Sequence, residues 1–66
     1  MNTSSVQQEL QMIEAEQDIY MLFGMQDRYE HMHEVGMTDA PTSAELISAV
    51  MDRQTAVSME MAEQYE

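Results

Sequence analysis

Val35-Gly36-Met37-Thr38-Asp39-Ala40-Pro41 is the one clear punctuation point in this sequence, gathering a glycine, an aspartate and a proline into a single short stretch. Everything on either side of it reads as helix. Ahead of it, Ser4 or Ser5 is placed to cap a helix N-terminus, with Gln7 or Gln8 at the capping-box position. Gly36 stands where a left-handed C-terminal residue is expected. Behind the stretch, Thr42-Ser43-Ala44-Glu45 forms a capping box directly after Pro41. The spacing predicts an all-α fold, an antiparallel helical hairpin in one domain spanning 1–66. Its first helix covers about 5–35, its turn about 36–42 and its second helix about 43–65.

Composition limits what such a hairpin can do. The 66 residues carry 13 acidic and 2 basic side chains, a formal charge of −11, and no cysteine. A chain this short buries only about 60% of the surface that its unfolded form exposes. Its core therefore calls for a disulfide, a metal or a partner chain, and disulfides are excluded. Two arginines and no lysine argue against direct binding to nucleic acid or anionic lipid, because both need cations that displace counterions. With 44% hydrophobic residues the chain is still apolar enough to fold. No run approaches the ~20 apolar residues of a membrane span; the longest, Ile19 to Phe23, continues at Met25 past Gly24. Met1-Asn2-Thr3-Ser4-Ser5 lacks the basic and apolar regions of a secretory signal, so the expected setting is cytoplasmic or a virion, and not secreted.

The two helices carry different apolar surfaces. In the second, Leu46, Ile47, Val50, Val57, Met61 and Tyr65 share a face opposite Glu45, Ser48, Asp52, Thr55 and Glu63, an ordinary amphipathic pattern. The first has two such faces: Val6, Leu10, Ile13, Tyr20 and Val35 on one side, and Met12, Ala15, Ile19, Leu22 and Phe23 on roughly the other. One antiparallel neighbour covers one stripe, so the surplus face is expected to be an interface. Length points the same way, since a helix of about 31 residues outreaches one of about 23 by roughly 12 Å. That overhang leaves Val6 and Leu10 without a partner in their own chain. Gly24 marks either a close crossing by another helix or a break in the first helix.

Nine methionines add adaptable contact surface, with Met21, Met25 and Met32 on the first helix and Met51, Met59 and Met61 on the second. Met59 falls on the polar face, beyond reach of an intrachain core. The expected partner interface is therefore Val6, Leu10, Met12, Ile19, Leu22, Phe23 and Met59.

Motifs that carry chemistry are few. Glu30 and His33 form one Glu-x-x-His pair, which in di-iron bundles needs further inward carboxylates, and here Glu30 lies on a charged stripe. His31 and His33 stand in the last turns, where the helix dipole favours positive charge, with Asp27 one turn before His31. The single Met21/Met25 pair is too little for a copper(I) thioether site. There is no glycine-framed nucleophile and no glycine-rich phosphate loop with lysine. Neither an enzyme nor a cofactor or metal is expected. Arg28 and Arg53 lie on the apolar stripes, placed to neutralise carboxylates across a helix interface.

Two functions fit this pattern. The first is a structural or adaptor subunit that assembles through the apolar faces of the first helix, as a homo-oligomer or with a protein partner, completing a helical bundle. The second is an acidic inhibitor, possible in a viral protein, whose Glu9, Glu16, Asp27, Glu30 and Glu34 imitate nucleic-acid phosphates in the basic groove of another protein. The first draws on the surplus face, the overhang and the methionines, whereas the second draws on charge alone.

Overall fold

The computed structural model describes residues 3–64, and three helices account for nearly all of them: α1 over Thr3–Ala15, α2 over Ile19–Glu34 and α3 over Ala40–Gln64. The all-helical expectation holds, and the two-helix hairpin does not. The single first helix is interrupted at residues 16–18, ahead of the glycine that raised the question, and α2 runs unbroken through Gly24.

The interruption follows from where the apolar residues fall. Ile13 and Leu22 are nine positions apart, and at about 100° per residue a straight helix would set them on opposite sides. Both are fully buried in one core. A chain reversal between them is what brings both inward, and polar side chains stabilise it. Asp18 is the N-cap of α2, with extended backbone (φ −93°, ψ 115°) and a carboxylate accepting from the Tyr20 N–H at 2.9 Å. The Glu16 carboxylate accepts from the N–H groups of Gln17 at 3.2 Å and Asp18 at 3.1 Å. From α3, Arg53 Nε donates to the Glu16 carbonyl at 2.8 Å, covering the C-terminal end of α1. Arg53 thus meets a backbone carbonyl, where a carboxylate was expected.

The second turn carries out what its sequence announces. Gly36 is left-handed at φ +76°. Its N–H donates to the His33 carbonyl at 3.1 Å and the Met37 N–H donates to that of Met32 at 2.9 Å, a Schellman closure. The start of α3 lies earlier than the Thr42–Glu45 box suggests. Asp39 is the capping residue: hydrogen bonds from Thr42 hold its carboxyl below the usual value, and the Ser43 N–H donates to its carbonyl at 3.0 Å. Pro41 then sits in the first turn, where no N–H partner is needed. Buried Thr38 and Ser43 share a hydroxyl hydrogen bond that ties the turn to this first turn of helix. At the other end, α1 already runs from Thr3, so Ser4 and Ser5 lie inside the helix. Tyr65 lies outside the described residues.

The core consists of Ile13, Leu22, Tyr29, Leu46, Val50 and Val57, with Val6, Leu10, Ile19, Met25, Met32, Ile47 and Ala49 packed against it. Both α1 and α2 rest mainly on α3. Gln54 of α3 donates to Gln26 of α2 at 2.9 Å. The overhang is therefore reversed: at 1.5 Å per residue α3 runs about 37 Å, against about 20 Å for α1 and about 24 Å for α2. Val6 and Leu10 are half-buried against the core of their own chain. The molecule is elongated, 43 × 22 × 15 Å with a radius of gyration of 12.7 Å, where a compact chain of this length has about 11 Å.

Candidate interaction surface

The apolar residues expected at an interface separate into two groups. Leu22 is removed from the surface altogether, because the reversal at residues 16–18 turns it into the core at 0% exposure. Val6, Leu10 and Ile19 are half-buried beside it. Met12, Phe23 and Met59 remain exposed, at 52%, 52% and 62%. Tyr20 and Met21 join them on the first turn of α2, at 80% and 55%, although sequence spacing gave Tyr20 to the face shared with Ile13. What the break leaves outside is a patch around the α1–α2 junction.

Within that patch lies an open groove of about 310 Å³, lined by Met12 of α1 and by Tyr20, Met21, Gly24, Met25 and Arg28 of α2. Gly24 is neither a break nor a crossing point for a helix of its own chain. A Cβ built there meets nothing within 4 Å. Three flexible thioethers surround this bare stretch of backbone, so the groove can adjust its shape at low cost.

Arg28 closes one side of the groove in a polar cluster that ties α2 to α1. Its guanidinium donates to Glu9 Oε2 at 2.8 Å and lies 5.1 Å from the centre of the Tyr29 ring. The Tyr29 hydroxyl donates to the same Glu9 oxygen. The Tyr29 ring is buried while its hydroxyl reaches the cluster at the edge. Burial, helped by the Glu9 carboxylate, pushes the phenol up from 10 to about 12. The expected pairing of Arg28 with a carboxylate across a helix interface is realised here. Tyr29 follows Leu22 by seven residues and shares its helical face even in a continuous helix. The apolar faces read from sequence include Leu22 and pass over Tyr29, whose hydroxyl finds Glu9 only once α1 folds back.

The acidic positions divide in a similar way. Glu9 and Glu16 are half-buried and engaged within the fold, whereas Asp27, Glu30 and Glu34 are exposed on α2. With the first helix interrupted between Glu16 and Asp27, the five no longer share one straight rod. Glu30 accepts from the Gln26 amide at 3.2 Å. Among the described residues, no three His, Asp or Glu side chains converge as a metal site requires. No described helix is long and apolar enough to cross a membrane.

Fold and surface together define a small, strongly acidic three-helix unit with an uncovered apolar groove. No protein-family model, curated protein or solved structure matches this chain.

Proposed function

We propose that this chain acts by protein–protein interaction, as a structural or adaptor subunit whose apolar surface at the α1–α2 junction completes a larger helical assembly. The observation that carries the reading is the groove in which exposed Met12 of α1 meets exposed Tyr20 and Met21 of α2; Phe23, exposed on another side of α2, is a secondary contact. A small domain with so little core gains stability by covering such a patch. The helix break narrows the interface from two whole faces of a long helix to this junction. Met59 is an exposed position on α3 and a secondary contact in this reading.

Sedimentation and native mass measurement test it, on the protein alone and with co-purifying partners. Met21→Glu places a carboxylate in the contact and disperses the assembly, while the same change at exposed Ser48 leaves it intact. A stably folded monomer that engages nothing, with Met21→Glu indistinguishable from it, overturns the reading. Leu22→Glu is unsuitable as a probe, because it unfolds the core instead.

The acidic-inhibitor reading retains the exposed carboxylates of Asp27, Glu30 and Glu34 on α2. Salt separates the two. Binding through charge weakens steeply as the Debye length falls below about 10 Å, whereas apolar assembly is unchanged or strengthened.

A further inference from the structure

We infer that the groove between α1 and α2 receives the apolar face of a basic amphipathic helix from a different protein, and not a second copy of this chain. The inference rests on the interaction reading above and names the partner for that surface.

Its floor is apolar, and the chain that carries it is strongly acidic. Met12, Met21 and Met25 supply the walls, and bare backbone at Gly24 leaves room for a foreign side chain to approach. A slot of about 310 Å³ takes apolar side chains from successive turns of one helix, spaced at i and i+3 or i+4. The one cation in the lining, Arg28, is already paired with Glu9 at 2.8 Å. Close along the chain to the lining residues stand two exposed carboxylates with no ion pair among the described residues, Asp18, bonded to the Tyr20 N–H, and Asp27, beside Arg28, whereas Arg53 already sits at the Glu16 carbonyl.

Charge then discriminates between occupants. A second copy brings another chain of −11 against the first, and like charges in juxtaposition oppose docking. A helix with lysine or arginine flanking its apolar stripe can bring those cations to Asp18 and Asp27 while its apolar side chains enter the slot.

The test uses the full chain with ¹³C-labelled methionine methyls and two synthetic amphipathic helices, one of leucine and lysine and one of leucine and glutamate. The lysine peptide is expected to shift the methyls of Met12, Met21 and Met25 and to leave those of Met37 and Met51 in place. The glutamate peptide is expected to shift none. Gly24→Leu fills the floor and should weaken binding at least tenfold, and Met21→Lys, at an exposed position, should do the same by repulsion. Equal shifts at Met37 and Met51, or binding unaffected by Gly24→Leu in a folded variant, would mean adsorption by charge alone and would overturn the inference. Equal binding of the glutamate peptide would do so too. A free chain that is already a dimer with Met12, Met21 and Met25 covered overturns this occupant while leaving the interaction reading standing. A monomer that binds neither peptide and no partner removes both.

Discussion

Tyr29 shows how much one side chain can hold in a domain of this size. Its ring fills the core and its hydroxyl joins Arg28 and Glu9, so it fastens α2 to α1 by packing and by hydrogen bonding at once. Because its folded pKa is raised to about 12, the stability it contributes is fully present below pH 10 and is lost as pH rises through 12. Absorbance titration at 295 nm should show one tyrosine ionising only near pH 12. Tyr29→Phe should abolish that late step and cost about 1 kcal/mol in urea unfolding at neutral pH. Some of this scale was legible in the sequence. Gly36 was read as a left-handed terminator and Arg28 as a bridging cation, because backbone strain and a lone cation among acids are local signals. The role of Tyr29 was not, because it depends on which way α1 turns.

At the scale of elements, the ends of the helices decide the fold. Periodicity exposed two opposed faces in the first 35 residues, and an interface was the natural reading of the second. The physical alternative is a reversal in the chain, for which the polar Glu16-Gln17-Asp18 step is the signal. It was weak because Asp18 lacks a capping-box partner, whereas Gly24 drew attention as a possible break. The reversal predicts measurable costs. Asp18→Ala should lose about 1 kcal/mol through its N-cap. Arg53→Ala should lose roughly 1.5–3 kcal/mol, the range for a hydrogen bond from a charged donor, with Arg53→Lys intermediate; urea denaturation followed by circular dichroism measures all three. The cap of α3 adds a pH signature. Since Thr42 holds the Asp39 carboxyl below its ordinary 3.8, the contribution of this cap is present above about pH 4 and fades as pH falls through the lowered value. Asp39→Ala should therefore narrow its stability gap from the parent protein in acid, a comparison made by thermal melts at pH 7 and at pH 2.

The molecule as a whole carries a charge out of proportion to its size. Self-repulsion at −11 opposes the compact state, so the thermal midpoint should rise between about 50 and 500 mM salt as screening sets in. Charge-neutral substitutions sort by contact. Glu30→Gln and Glu34→Gln, both exposed, should leave stability unchanged or slightly raised. Glu9→Gln should lower it by removing the partner of Arg28 and Tyr29. Thermal melts of the three single variants, at low salt, test this ordering; a uniform gain at all three would show that repulsion outweighs the Glu9 cluster.

The position of α3 has a consequence for how this protein is made. It is the helix on which α1 and α2 both rest, and it is the last of the three in the chain. During synthesis α1 and α2 emerge with almost no backbone contact to each other, so the apolar faces of Ile13 and Leu22 stay uncovered until residues 46–57 follow. Ribosome-bound chains stalled before Leu46 should be readily cleaved by protease, and those that have released Val57 should resist it. Folding then comes as one late event, and a nascent chain interrupted before that event remains a substrate for chaperones and proteases.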